Sequence, residues 1–140
     1  MIVVPDASVL LKWVLRRDDE AHTAAALSLR EEAVSGSIEL VAPQLWLYEV
    51  GNTLARRFPE EVGDLLASLV DFRLTEARPD SEWRAHAVFL AVTYGVSFYD
   101  AAYHATALAR GGLFVTADER YVRRAAQAGG VVALREWSAR

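Results

Sequence analysis

Ile2-Val3-Val4-Pro5-Asp6-Ala7-Ser8-Val9-Leu10 is the stretch on which the architecture of this chain turns. A short β-branched run is stopped by Pro5, which cannot donate to a central ladder and is tolerated best where a strand ends. Val9, Leu10, Trp13 and Val14 then repeat at helical spacing, so a strand passes into a helix with Asp6 at the junction. Beyond a charged break from Arg16 to Glu20, an alanine-rich helix runs to about Val34 and closes at Gly36. Ile38 to Ala42 reads as a second strand, and Pro43 is placed to begin a helix holding Leu45, Trp46, Glu49, Val50 and Leu54. Pro59 starts another helical run, with Val62, Leu65, Leu66, Leu69 and Val70 on its apolar face. The crossing from Arg73 to Pro79 has room for a brief strand. Asp80 or Ser81 caps a helix from Glu82 to about Tyr94, with Gly95 as terminator, and Ser97 to Asp100 opens the next, ending near Gly111-Gly112. Leu113 to Thr116 is a compact strand, Asp118 to Ala128 a helix, and Val131 to Leu134 a last strand.

Short apolar strands alternating with helices predict an α/β fold with a mainly parallel sheet covered on both faces, because parallel strands need crossover connections. In such sheets ligands bind beyond the carboxyl ends of the strands. Asp6 and Asp118 follow strands, while Asp100 begins a helix leading into one.

The 140 residues, 53% of them hydrophobic, suit one domain over 1–140 with a substantial core and leave no room for a second. With no cysteine, neither a disulfide framework nor a thiolate zinc site can form, and His22, His86 and His104 lack ligand-like spacing. No signal-type start and no bilayer-spanning run is evident, so a cytoplasmic protein without membrane attachment is expected. The formal charge of −4 argues against a generally basic protein that coats nucleic acid. Arginines cluster at Arg16-Arg17, Arg56-Arg57 and Arg120-Arg123-Arg124, where they either contact phosphates around an acidic pocket or line solvated helix faces.

Each acid of the set Asp6, Glu49, Asp100 and Asp118 has a bland explanation as well as a functional one. Asp6 suits a helix N-cap; Ser97-x-x-Asp100 and Thr116-x-x-Glu119 both have the form of a capping box. Glu49 lies among Leu47, Tyr48 and Val50, where a lone buried carboxylate is expensive, although at a helix edge it needs no function. Asn52, three residues on, shares its helical face and can bond the carboxylate or a metal-bound water, or simply face solvent. His104, one turn after Asp100, invites a general-base role but fits a satisfied packing residue better. Trp13, Trp46, Trp83 and Trp137 read as core or interface residues rather than base-stacking platforms. Gathered together, the four carboxylates would repel by roughly 4 kcal/mol per pair at 4 Å and an effective dielectric near 20. Only a cation or shared protons make such a cluster tolerable.

Val3-Val4-Pro5-Asp6-Ala7-Ser8-Val9, Tyr48-Glu49-Val50-Gly51-Asn52, Phe98-Tyr99-Asp100-Ala101-Ala102 and Val115-Thr116-Ala117-Asp118 together form a recognisable series. In these motifs, their order and their approximate spacing, the chain resembles a PIN-domain ribonuclease of the VapC toxin type over nearly its whole length. The resemblance implies a three-layer α/β/α domain with Asp6, Glu49, Asp100 and Asp118 at catalytic, metal-site positions and Ser8, Asn52 and Thr116 in supporting ones. It further implies an RNA substrate, a small VapB-like antitoxin and a homodimer, with which the apolar residues Trp46, Leu47 and Leu54 are compatible. Pro5 departs from the family pattern, and His104 is not required by it.

All-oxygen ligands suit Mg²⁺ or Mn²⁺, one ion or two, which would lower the pKa of an attacking water and orient in-line displacement at a phosphodiester. Asp6 and Asp100 are the leading direct ligands, with Asp118 and Glu49 as ligands or water-positioning groups; Arg120, Arg123 and Arg124 are candidates for phosphate contacts. Two rivals stand beside this reading. A haloacid-dehalogenase-like phosphohydrolase would use Asp6 as nucleophile, but Asp6-Ala7-Ser8 lacks the second aspartate of D-x-D and no well-placed lysine follows. A catalytically inactive binding module of the same fold is weakened by retention of all four acids.

Overall fold

The computed structural model describes residues 1–15 and 22–139, so the expected break from Arg16 to Glu20 and its Arg16-Arg17 pair lie outside the described residues. Strand β1 (Ile2–Pro5) leads through Asp6 into α1 (Ala7–Leu15), and α2 (Thr23–Ser35) follows, closed by Gly36. Next come β2 (Glu39–Pro43), α3 (Leu45–Arg57), α4 (Val62–Val70) and β3 (Thr75–Ala77), the brief crossing strand. The second half is α5 (Ser81–Tyr94), α6 (Phe98–Arg110), β4 (Leu113–Thr116), α7 (Glu119–Ala125) and β5 (Val131–Ala133). Short 3₁₀ turns span Ala126–Ala128 and Leu134–Ala139.

Three boundaries differ from expectation. Pro43 does not begin a helix: it forms the last rung of β2 opposite Ala77, and α3 starts at Leu45. A proline at a strand end forfeits little, because the ladder stops there. The helix expected to run from Asp118 to Ala128 tightens to 3₁₀ after Ala125, as helix ends commonly do. Leu134 leaves β5 and, with Trp137, buries itself in the 3₁₀ segment that packs on α2.

The sheet has strand order β3-β2-β1-β4-β5, and every paired neighbour runs parallel. β1 is therefore central, and the winding direction reverses between β1 and β4. At such a switch point the loops leaving the two strands splay to opposite sides and open a crevice at their carboxyl ends. Pro5 lacks an N–H, but the next residue continues the ladder: Asp6 N–H donates to Val115 O at 3.3 Å. At the opposite end of these strands a Cβ on Gly112 would lie 2.8 Å from both Cγ2 and the carbonyl oxygen of Ile2. Only glycine lets the turn after α6 press against β1 so closely.

Val3, Val4, Val41, Phe114 and Val115 are fully or almost fully buried between helices that cover both faces of the sheet. α6 crosses β1, β2 and β4 and packs along α5, where Ala87, Ala101 and Ala105 make a close seam. Trp46 and Leu54, compatible in sequence with either core or protein contacts, are buried in the main core, and Leu47 packs against it. The exposed apolar side chains of α5 are instead Val88, Phe89 and Val92. Among the described residues no helix is long and apolar enough to cross a membrane.

Candidate metal centre at the sheet switch point

Asp6 stands at the carboxyl end of β1, and both of its carboxylate oxygens are engaged. Oδ1 accepts from the Ser8 hydroxyl at 2.5 Å and from Val9 N–H at 3.3 Å; Oδ2 accepts from the Thr116 hydroxyl at 2.5 Å. Each hydroxyl is held in turn by the loop after β4: Ser8 Oγ accepts from Ala117 N–H at 3.2 Å and Thr116 Oγ1 from Asp118 N–H at 3.0 Å. The expected cap is thus real, and it is also a brace that fixes the carboxylate across the β1–β4 seam. Burial pushes the Asp6 carboxyl up to about 6; the bonds from Ser8, Thr116 and Val9 oppose that, and the negative charge of Asp100 adds to it.

Asp100 lies in the first turn of α6, whose N-cap Ser97 accepts from Asp100 N–H at 3.0 Å. Its carboxyl is raised above the ordinary range, chiefly by burial and further by the charge of Asp118, with Ser97 opposing. Glu49, half-buried on α3, accepts from the hydroxyl of Tyr103 at 2.6 Å. Burial raises it too, against the Tyr103 bond and together with the charge of Asp100. Asp118 is itself the N-cap of α7, accepting from Tyr121 N–H at 3.1 Å, so the Thr116-x-x-Glu119 capping box is not used. The charge of Asp100 adds a small rise at Asp6 and at Glu49, as that of Asp118 does at Asp100.

Among the described residues no lysine or arginine forms an ion pair with any of these carboxylates. No three acidic or histidine side chains among the described residues are drawn close enough to enclose an ion by themselves. The raised carboxyl pKa values come chiefly from burial, with repulsion between the acids the smallest contribution. As chemistry, an all-oxygen set that cannot close a full cage suits a hard divalent cation that keeps several waters.

The supporting residues divide. Ser8 and Thr116 hold Asp6 as described, whereas Asn52 is solvent-exposed and makes no bond to Glu49. Arg120 and Arg124 line a cleft of about 260 Å³ together with Asp100 and Asp118, and Arg124 donates to Gly95 O at 3.0 Å; Arg123 does not line it. His104 is fully buried away from the acids. Its Nε2 donates to Gly129 O at 2.7 Å, leaving Nδ1 to accept from Tyr121 OH at 2.8 Å, and burial lowers its pKa. It is a packing residue. Tyr103 is the site residue that sequence reasoning passed over; its one signal is position, three residues after Asp100 on a helix whose buried face points at the sheet.

The sequence profile of the PIN domain family matches residues 3–127. A search of curated proteins gave no significant match. Among solved structures, PAE2754 from Pyrobaculum aerophilum superposes with a TM-score of 0.64 at 23% identity, over 100% of both chains. VapBC-1 from nontypeable Haemophilus influenzae superposes with a TM-score of 0.68 at 15% identity, over 96% of this chain and 98% of the other. At these identities the two structures speak to the fold alone.

Proposed function

This chain belongs to the PIN domain family, a family of nucleases, and from that premise we propose that residues 1–140 form one metal-dependent endoribonuclease domain, the toxin of a VapBC-type toxin–antitoxin pair. The observation that carries the reading is the convergence of Asp6 at the end of β1, Asp118 after β4 and Asp100 on α6 at the sheet switch point, where Asp100 and Asp118 share one cleft and, among the described residues, no lysine or arginine is ion-paired to them. Asp6 and Asp100 would hold Mg²⁺ or Mn²⁺, with Asp118 and Glu49 as further ligands or as acceptors for its waters. One or two such ions supply Lewis acidity toward a phosphoryl oxygen and a more acidic water. The remaining work falls to the chain. The braces from Ser8 and Thr116 keep Asp6 from turning as substrate enters. Tyr103 aims the Glu49 carboxylate, and Arg120 and Arg124 offer charge to phosphates flanking the scissile bond. Attack by water leaves 5′-phosphate and 3′-hydroxyl ends. A narrow crevice in an acidic protein favours an unpaired phosphodiester from a loop or single strand over long duplex.

A VapB-like antitoxin would silence the site by inserting an arginine whose guanidinium pairs with these carboxylates in place of the cation's charge. The structural likeness to VapBC-1 supports such a partner. The exposed α5 stripe of Val88, Phe89 and Val92 supports a homodimer, and the location that goes with this role is the cytoplasm. The deciding experiment incubates purified protein with structured RNA in Mg²⁺, in Mn²⁺ and in excess chelator. Cleavage at unpaired sites that needs metal and is lost in Asp6→Asn and Asp100→Asn is expected. Undiminished cleavage by metal-free protein, or nicking of DNA with every RNA loop left intact, would overturn the reading.

A further inference from the structure

Beside the acids lies a second, larger concavity of about 690 Å³, lined among others by Pro43, Gln44, Trp83, Phe98, Tyr99 and Ala102. We propose that this groove is a nucleobase subsite, in which a base next to the scissile phosphate lies against Tyr99 and Phe98 with its edge toward Gln44 and Glu76. The proposal rests on the ribonuclease reading and deepens it by naming what holds the substrate beside the cut.

The first turn of α6 forms the ridge between the two sites. Ser97 and Asp100 line the acidic cleft, whereas Phe98, Tyr99 and Ala102 line the groove. A strand whose phosphate meets Asp100 therefore has its neighbouring nucleotide delivered to the aromatic side within one helical turn, a rise of about 5.4 Å. Trp83 is anchored in the groove wall. Trp83 Nε1 donates to Ala102 O at 3.1 Å and to Thr106 Oγ1 at 3.0 Å, and its ring stands edge-on to Phe98 with centroids 5.9 Å apart. Phe98, though packed on Trp83, remains 47% exposed and Tyr99 65%, so both rings keep a face open to the groove side. Flat apolar faces with the Gln44 amide and Glu76 carboxylate at the rim match a base, which has a π-face for stacking and donors and acceptors at its edge. Exposed Arg78 lies at the groove and Arg120 and Arg124 at the cleft, so that a cation stands on each side of the ridge where consecutive phosphates of one strand would run.

The test uses full-length Asp100→Asn protein, which does not cut, and a single-stranded oligoribonucleotide carrying 2-aminopurine at successive positions. Quenched emission at one position, with affinity reduced roughly 5- to 150-fold by Tyr99→Ala or by an abasic nucleotide at that same position, and no further loss on combining the two, is expected. Tyr99→Trp should restore binding. Full affinity in Tyr99→Ala and Phe98→Ala, or losses that simply add, would overturn the subsite. A change of oligomeric state in these variants, with RNA binding intact, would reassign the groove to protein contact and equally overturn it. Cleavage by the otherwise unaltered chain is scored separately: its absence in every metal defeats the ribonuclease reading, while the binding measurements still judge the groove.

Discussion

Tyr103 joins α6 to α3 through one hydroxyl, and removing that oxygen isolates its effect. In Tyr103→Phe the half-buried Glu49 carboxylate loses its donor, so turnover should fall about tenfold and stability by about 1.5–3 kcal/mol, read by single-turnover cleavage and urea unfolding. The pH response of Asp6 follows from its raised carboxyl. Because the folded chain holds that proton more tightly than the unfolded one, its contribution is complete below the ordinary value of 3.8 and is lost as pH rises to about 6. At about 1.36 kcal/mol per pH unit the metal-free protein should lose up to about 3 kcal/mol over that window. Asp6→Asn should stay folded, flatten this dependence and abolish cleavage; a variant that unfolds would instead make the cap the main role of Asp6. The places of Asp6, Asp100 and Asp118 at a strand end or helix start were legible because such junctions mark themselves in sequence, whereas Ser8 and Thr116 were singled out by the family resemblance alone. Tyr103 was not, since its partner is 54 residues away and nothing local distinguishes it from a core tyrosine. Asn52 is exposed and does not bond Glu49, since a shared helical face does not make two side chains meet.

Elements hold the site through two constraints that have little to do with its chemistry. Gly112 lets the turn entering β4 rest on Ile2, and a methyl there would strike backbone oxygen. Gly112→Ala should therefore cost about 1–3 kcal/mol and weaken cleavage in parallel, seen as a lower Tm and a lower kcat from the same preparation. His104 ties α6 to α7 and to the approach to β5 through Tyr121 and Gly129. His104→Ala strands both partners and should destabilise by about 2–4 kcal/mol, while the surviving folded fraction keeps the pH–rate profile of the parent. That histidine's own contribution is complete above its ordinary value of 6.5 and is lost as pH falls through its lowered folded value, opposite in sign to Asp6. The order of helices and strands could be read from periodicity, because apolar strands between capped helices are unambiguous. Pro43 could not, since proline serves equally at the first turn of a helix and at the last rung of a strand. Only the pairing with β3, a strand of three residues, decides it.

Across the whole molecule, acids that form no ion pair with lysine or arginine among the described residues make stability depend on what binds beside them. Adding Mn²⁺ at about a hundredfold excess over its dissociation constant should stabilise the chain by about 2.7 kcal/mol, and Asp100→Asn should abolish the shift in Tm. A shift preserved in that variant would locate the ion elsewhere. The parallel architecture was legible from sequence, but the groove beside α6 was not, because β2, β3, α5 and α6 supply it from four separate stretches. The same separation governs Asp6 itself. Its brace Thr116 follows it by 110 residues, on a strand that must pair with β1 before either oxygen is held. On a ribosome, therefore, Asp6 stays unfixed until β4 has left the exit tunnel and paired with β1, whatever the carboxylate then serves.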